Sequence, residues 1–371
     1  MTVFHRFCTV FPLFLLVLAL ASCSGTGRGP WDSRSAQQQQ DVTVGPYGTP
    51  SGVVPADTSA SSAKVAILLP LSGSNAAVGQ SMLQAAQLAV FDLGYDNFEL
   101  MPRDTSSGAA QAASAAIRDG AQLILGPLFA DDVRAVKSAT SGSGVNVIAF
   151  STDWTLAGGN TYMMGFLPFG QVERIAQYAA AKGLKRAAVA AGSDTYGSAT
   201  SSLFESEARK NGMTITRALS DASGYDAVFI PAGGTALSGI LQRVANKDAK
   251  KLGTGLWDDA RVAADPAMNG AWFAAPSPRA RAAFESRYAQ TYGARPQRLA
   301  SMAYDATALA AALARAGGFT PANLTNPNGF AGVDGIIRFN KSGLAERGMA
   351  VLEIRGGQIV EIDPAPSSFQ R

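Results

Sequence analysis

The chain is 371 residues long and carries 31 Lys and Arg side chains against 28 Asp and Glu, which leaves a formal charge of +3. So small a charge on a chain of this size gives too weak a field to hold a phosphate backbone, which excludes nucleic acid as a partner. Hydrophobic residues make up 47% of the sequence, enough to bury a sizeable core, and the length suits two compact lobes.

The amino terminus has the pattern of an export signal. A short basic segment precedes the unbroken apolar run 11–20, which spans only about 15 Å as a helix, half of what a bilayer core requires. The sequence LASC at 20–23 resembles the bacterial lipobox, in which the cysteine is acylated and the chain is cut just before it. We therefore predict a lipoprotein signal peptide over 1–22 and lipidation at Cys23. The alternative is an ordinary signal peptide with a chance cysteine.

Cleavage before Cys23 would leave the mature chain without histidine and without a second thiol. The only histidine is His5 and the only other cysteine is Cys8, and both lie in the signal segment. This excludes Ser-His-Asp and Cys-His nucleophiles, zinc sites of the usual nitrogen and sulfur type, and a disulfide. One Ser-x-x-Lys spacing occurs at Ser61 and Lys64, but neither S-D-N nor K-T-G follows it. We predict no enzymatic activity, no cofactor and no metal.

Residues 23–63 are predicted to form a disordered tether. The segment is rich in Ser, Gly, Pro and Gln and includes four consecutive glutamines at 37–40. It therefore has little apolar surface with which to offset the entropy of ordering. As a random coil its root-mean-square span is about 38 Å. A lipid on Cys23 and this tether would place a folded body well clear of the membrane surface.

From residue 64 onward, short apolar strands alternate with amphipathic helices. Strands are predicted at 64–69, 123–125, 145–150, 186–191, 227–230 and 252–256. Apolar residues recur at helical spacing at 172, 175, 176 and 179, and again at 237, 240, 241 and 244. The alternation predicts a doubly wound α/β fold, divided into two lobes near 165–170. Short strands with turns at 341–343 and 356–357 predict an antiparallel edge.

Several segments resemble the type I periplasmic-binding-protein fold of the leucine/isoleucine/valine-binding family. In the family's order these are ILLPLSG at 67–73, LILGP at 123–127, DTYG at 194–197 and AYDA at 303–306. More narrowly, other segments look like the penicillin-binding protein activators, lipoproteins that regulate a peptidoglycan synthase from the outer membrane. These are LGPLF at 125–129, AFSTD at 149–153, GTGLWDD at 253–259 and NGFAGVDG at 328–335.

The resemblance implies two doubly wound α/β lobes joined by three crossovers, with a ligand cleft between them. It covers about residues 64–365 and places the crossovers near 167–168, 275–276 and 330–331. Lobe one would comprise 64–167 plus 276–330, and lobe two 168–275 plus 331–365.

The loops at the carboxyl ends of the strands are predicted to form the cleft, because ligands of open α/β sheets bind where such loops and helix amino termini converge. The candidates supply hydroxyl, amide, carboxylate and aromatic groups: Ser72, Asn75, Phe129, Ser151, Thr152, Asp153, Asp194, Tyr196, Thr235, Trp257 and Asp258. The resemblance places an aromatic ring against bound ligand at Tyr196. Other interpretations stay open, with Ser72 and Asn75 as helix caps, Trp257 as packing at the lobe interface and Asp258 as a solvated carboxylate.

One departure from the amino-acid binders concerns the loops that hold the ligand's carboxylate and ammonium groups. Those proteins carry small hydroxyl residues there, whereas this chain has Phe129 in the first loop and Asp153 in the second. A bulky ring and an added negative charge would hinder a zwitterion. We expect free leucine to bind weakly or not at all, so the cleft holds a different small polar ligand or none.

Two functions follow from these observations. The first is a non-enzymatic lipoprotein, anchored in the outer membrane and facing the periplasm, that activates a penicillin-binding protein. The lipobox, a serine rather than an aspartate at position 24, the long tether and the activator-like segments favour it. The second is a substrate-binding protein that delivers amino acids or another small polar solute to an ABC transporter, which the fold supports equally well.

Overall fold

The computed structural model describes residues 62–190 and 194–369. The predicted signal peptide, Cys23 and all but the last two residues of the tether lie outside this part of the chain. The described strands, in chain order, are Ala63–Leu69 (β1), Phe98–Asp104 (β2), Leu123–Leu125 (β3), Asn146–Ala149 (β4), Thr161–Met163 (β5), Arg186–Val189 (β6), Thr214–Thr216 (β7), Ala227–Phe229 (β8), Lys250–Thr254 (β9), Trp272–Ala275 (β10), Phe330–Gly332 (β11), Gly335–Phe339 (β12), Ala345–Arg347 (β13), Ala350–Arg355 (β14) and Gln358–Asp363 (β15).

The α-helices of the described residues alternate with these strands over most of the chain. In order they are Ala76–Leu93 (α1), Ala109–Arg118 (α2), Ala130–Ala139 (α3), Pro168–Ala181 (α4), Thr195–Lys210 (α5), Gly234–Arg243 (α6), Ala260–Ala263 (α7), Pro278–Tyr292 (α8), Ala300–Arg315 (α9) and Pro321–Leu324 (α10). Across residues 62–190 and 194–369, every helix falls short of the length and hydropathy that a membrane span requires.

The first sheet has five parallel strands in the order β2-β1-β3-β4-β5 and carries the first lobe. Strand β1 is buried on both faces, because helices cover each of them. Its residues Val65 and Ile67 pack with α1 and α9 on one face. Ala66 and Leu68 pack with α2 and α3 on the other. The predicted doubly wound arrangement is confirmed for this lobe.

The second sheet has seven strands in the order β15-β14-β10-β9-β8-β6-β7 and carries the second lobe. Strands β6 to β10 run parallel, and β14 and β15 continue the sheet as antiparallel neighbours. Val172, Ile175 and Ala176 are buried against one face from α4, and Leu237 and Ile240 against the other from α6. The predicted helix faces and the antiparallel edge are both confirmed.

Strands β11, β12 and β13 form a small antiparallel sheet of their own. Ile337 and Phe339 are buried in the same core as Val65 and Ile67 of the first lobe. The chain reaches the core of the second lobe only at Met349. The structure therefore differs from the expectation that 331–365 belongs to lobe two, because the apolar side chains of β12 fill the first lobe's core.

Candidate functional site

A cavity of about 490 Å³ lies between the two lobes. Its wall combines the ends of second-lobe strands with the loop after β4, the first crossover and the segment that leads into α9. Four of the eleven predicted cleft residues line it, namely Thr152, Asp194, Tyr196 and Asp258. The second-lobe part of the wall follows the carboxyl ends of parallel strands, where open α/β sheets offer ligand sites.

The turn after β9 fixes the second-lobe side of the cavity. Trp257 is fully buried in the second lobe, and its indole Nε1 donates a hydrogen bond to the carbonyl oxygen of Ala232 at 2.8 Å. A Cβ at Gly253 would lie 2.6 Å from the indole ring, so a glycine is required beneath it. Trp257 therefore does not form the predicted wall. Its neighbour Leu256, 43% exposed, lines the cavity instead.

Asp258 joins the second lobe to the first through two ion pairs. Its carboxylate lies 2.7 Å from Arg298 Nε and 3.2 Å from Arg281 Nη2. The side chains of Asp258 and Arg281 are 8% and 7% exposed, whereas that of Arg298 is 27% exposed. Arg298 also stacks on Phe166, with its guanidinium carbon 4.4 Å from the ring centroid. The two lobes are therefore bridged by the protein's own charges inside the cleft.

Behind this bridge lie two further carboxylates, Asp334 and Asp305, both buried in the first lobe. Asp334 Oδ1 lies 3.3 Å from Arg298 Nη2, and Asp334 Oδ2 accepts a hydrogen bond from Ser301. Burial acts to raise the pKa of Asp334, but the guanidinium groups of Arg298 and Arg281 outweigh it and hold that pKa below its ordinary value. Burial raises the pKa of Asp305 to about 7, and the charge of Asp334 adds to the rise.

Three other polar residues of the cavity wall, Gln171, Tyr196 and Asp194, form hydrogen bonds within the second lobe and its crossover. Gln171 donates to the carbonyl oxygens of Phe166 and Leu167, at 3.1 and 2.9 Å, and accepts from the Gly255 amide at 2.6 Å. The Tyr196 hydroxyl lies 3.2 Å from Thr254 Oγ1, and burial raises its pKa. Asp194 caps α5 by accepting from the Gly197 amide at 2.7 Å.

The remaining predicted residues lie outside the cavity wall. They are Ser72, Asn75, Phe129, Ser151, Asp153, Thr235 and Trp257. Ser72 donates to Asp104 at 2.6 Å, and neither Ser72 nor Asn75 makes the side-chain cap proposed as its alternative role. Asp153 pairs with Arg134 at 3.1 Å and caps the short helix at 154–156. Because Phe129 and Asp153 lie outside the cavity wall, the structure gives no basis for the expected hindrance of a zwitterion by these two residues.

The side chains of the cavity wall that sequence reasoning missed include Phe166, Leu256 and Arg298. Leu256 stands inside the GTGLWDD segment that carried the resemblance, and that position was the available signal. Arg298 lies just before α9, and no motif around it indicates a role in the cleft. Within 62–190 and 194–369, no group of three or more His, Cys, Asp or Glu residues could hold a metal ion. The wall can bind and orient a ligand through apolar contact and through the charged bridge.

The family model described as a periplasmic binding protein matches residues 62–358. No curated protein sequence matches the chain. Among solved structures it is similar to a putative branched-chain amino acid ABC transporter from Rhodospirillum rubrum. The TM-score is 0.71 at 19% identity, over 81% of this chain and 100% of that chain.

Two further similar structures belong to proteins with different roles. One is the C-domain of LpoA (YraM) from Haemophilus influenzae, a regulator of PBP1A, with a TM-score of 0.62 at 19% identity, over 81% of this chain and 99% of that chain. The other is an ABC transporter substrate-binding protein from Desulfitobacterium hafniense in complex with Leu, with a TM-score of 0.64 at 19% identity and the same coverage. At this identity the likeness establishes the leucine-binding-protein-like fold alone.

Proposed function

The chain belongs to the periplasmic binding protein family, and from that premise we propose that it is a non-enzymatic regulator that activates a peptidoglycan synthase, a penicillin-binding protein. The observation that carries the proposal is the bridge of Asp258 to Arg281 and Arg298. A transport protein of this fold closes on its solute and must open again to release it. Here the position at which a solute would join the lobes is taken by the chain's own ion pairs.

The energetics of the bridge favour a body that keeps one shape. Charges that are largely removed from water attract one another more strongly than exposed charges, because the effective dielectric around them is lower. Pulling the lobes apart would separate Asp258 from two guanidinium groups at once. A fixed surface suits a protein that acts by binding another protein, whereas solute exchange requires repeated opening.

We propose further that the regulator is held at the outer membrane by a lipid on Cys23 and reaches into the periplasm on the tether 23–63. The lipobox and the composition of the tether support this. A regulator of PBP1A among proteins of the same fold is consistent with it. Cys23→Ala is expected to leave the precursor uncleaved or to release the protein from the membrane fraction. An unmodified mature amino terminus elsewhere, found by mass spectrometry, would contradict the anchor.

The function is tested by adding the purified mature chain to a purified bifunctional penicillin-binding protein from the same organism. We expect a saturable rise in glycan polymerisation or in peptide cross-linking. Heat-denatured chain is the matched control for added protein mass. An absence of any rise, together with a micromolar Kd for a branched-chain amino acid, would replace the regulator by the transport function.

The second candidate is a substrate-binding protein of an ABC transporter for amino acids or another small polar solute. One observation favours it, the cavity of about 490 Å³ between the lobes, which lies in the usual size range for small-molecule sites. Calorimetric titration with leucine, isoleucine and valine separates the candidates, because a solute carrier must bind its solute without the synthase.

A further inference from the structure

One large apolar side chain of the first lobe is left in water. Phe91 lies in the last turn of α1 and is 76% exposed, the highest value for a large apolar side chain among the residues that the structure describes. The buried face of the helix is formed by other residues, including Leu88 and Ala89. Phe91 also lies outside the wall of the cavity between the lobes. Neither the core nor that cavity accounts for an aromatic ring at this position.

A pocket of about 170 Å³ opens beside this ring. Arg287 joins the two, because it lines the pocket and its guanidinium carbon lies 6.0 Å from the ring centroid of Phe91. The pocket is lined by buried apolar side chains and by exposed alanines, namely Phe284, Tyr304, Val333, Ala280 and Ala283. Sites for small molecules usually measure about 300 to 1,000 Å³, so this volume fits a single side chain. Apolar anchors that fill such pockets carry much of the energy of protein–protein interfaces.

The charges around this ring and pocket are mainly positive. Apart from the bridge residues, α1, α8, α9 and the loops 94–97 and 293–299 carry four accessible arginines and two accessible carboxylates, namely Arg279, Arg287, Arg295, Arg315, Asp96 and Glu285. Asp92, which pairs with Arg287, is only 6% exposed and shows little of its charge to a partner. Arg315 is held near the end of α1, with its guanidinium carbon 4.5 Å from the ring centroid of Tyr95. An acidic surface would complement this face, whereas a second copy of the same face would be repelled.

We propose that Phe91, Arg287 and the adjoining pocket form a docking surface, the Phe91 surface, for an acidic segment of the peptidoglycan synthase that inserts one apolar side chain into the pocket. The proposal rests on the proposed function, because the synthase is its partner. Contact with Phe91 would remove apolar surface from water, and acidic side chains would meet Arg279, Arg287 and Arg315. The surface belongs to the first lobe alone, so docking leaves the bridge of Asp258 intact.

Two substitutions of Phe91 test the docking surface and the charge of the partner. Phe91→Asp and Phe91→Arg both remove the ring, and they add opposite charges at a position exposed enough to leave the fold intact. In the synthase assay with the mature chain, the concentration that gives half-maximal stimulation is expected to rise at least about tenfold for Phe91→Asp, or about 1.4 kcal/mol. The rise for Phe91→Arg should be smaller by at least about threefold, because its charge attracts an acidic partner.

The matched control is Phe129→Asp, the same change at an exposed position before α3 in the same lobe, and it should leave stimulation unchanged. An unchanged half-maximal concentration for Phe91→Asp overturns the docking surface while the regulator stands. Equal rises for the two Phe91 variants overturn the acidic partner. If the wild-type chain does not stimulate the synthase, the regulator fails and the docking proposal fails with it.

Two neighbouring alanines of α8 test the pocket. Ala283 lines it and Ala282 does not, although both are exposed. Ala283→Leu fills the pocket and is expected to raise the half-maximal concentration at least about fivefold, whereas Ala282→Leu should leave it unchanged, because leucine is nearly as favourable as alanine in a helix. Equal effects of the two variants contradict insertion into the pocket. Sedimentation velocity should show a monomer. A dimer that Phe91→Asp abolishes would show that a second copy occupies the Phe91 surface, and would overturn the proposal.

Discussion

Replacing Asp258 with asparagine is expected to lower the free energy of unfolding by about 3 kcal/mol. The change keeps the shape of the side chain but removes the charge that pairs with two arginines. Arg281 is 7% exposed and loses one of its carboxylate partners, as does Arg298. Loss of one partner from a buried pair costs about 3 to 5 kcal/mol. The low end applies, because Arg298 is 27% exposed and both arginines keep Asp334 within 3.6 Å.

Urea unfolding of the mature chain, followed by tryptophan fluorescence, measures this loss as a shift of the transition midpoint. The matched control is the neighbouring Asp259→Asn. Asp259 caps α7 and pairs at 2.7 Å with Arg261, whose side chain is 92% exposed, so this change should cost about 1 kcal/mol or less. Equal losses for Asp258→Asn and Asp259→Asn would refute the claim that the bridge between the lobes is buried and stabilising.

Three other results are expected. Because the pKa of Asp305 rises from 3.8 to about 7 in the folded protein, its contribution to stability is present at low pH and is lost as pH rises through 7. The midpoint of urea unfolding should therefore fall between pH 4 and 7 in the wild-type protein and fall less in Asp305→Asn. A wild-type midpoint that rises steadily over this range would contradict the prediction. Gly253→Ala should destabilise by about 1 to 3 kcal/mol, since its Cβ would lie 2.6 Å from the indole of Trp257, whereas Gly239→Ala, with open space around it on α6, should stabilise by up to about 1 kcal/mol. Thermal denaturation checks both glycine variants, and equal shifts would contradict the steric argument. Leucine should give no calorimetric heat at micromolar concentrations, because Arg298, the cation of the cavity wall, already pairs with the carboxylates of Asp258 and Asp334; a micromolar Kd contradicts this.

Local patterns were sufficient to predict much of the fold. The strand at Leu123–Leu125 has the bounds that its apolar run predicted, and Val172 and Ile175 are buried as their spacing indicated. These features depend on neighbouring residues along the chain, so periodicity reveals them. The sequence analysis expected the chain to re-enter the second lobe at residue 331, which is too early. Strands β12 and β13 have the alternating pattern of edge strands, yet they pack on the first lobe.

The candidate site was harder to predict, because it depends on contacts between distant segments. A tryptophan after a strand is compatible with a position in the cleft wall and with a position in the core. The packing of Gly253 under the indole of Trp257 shows that this tryptophan belongs to the core. Arg298 lies 40 residues from Asp258 in sequence, so no spacing rule links them. The position of the cleft was expected from the topology of open α/β sheets. The ion pairs of Asp258 with Arg281 and Arg298 are evident only in the three-dimensional arrangement of the two lobes.

The fixed arrangement of the lobes, on which the proposed function depends, can be measured directly by spin-label distances. Residues 24–371 contain no cysteine, so labels can be introduced at Gln87→Cys on α1 and Ser202→Cys on α5, both exposed positions in different lobes. We predict one narrow distance distribution in the protein without added ligand, unchanged by saturating leucine and broadened by Asp258→Asn. A broad distribution that narrows or shifts when leucine is added would contradict the account and indicate a solute-binding protein that opens and closes.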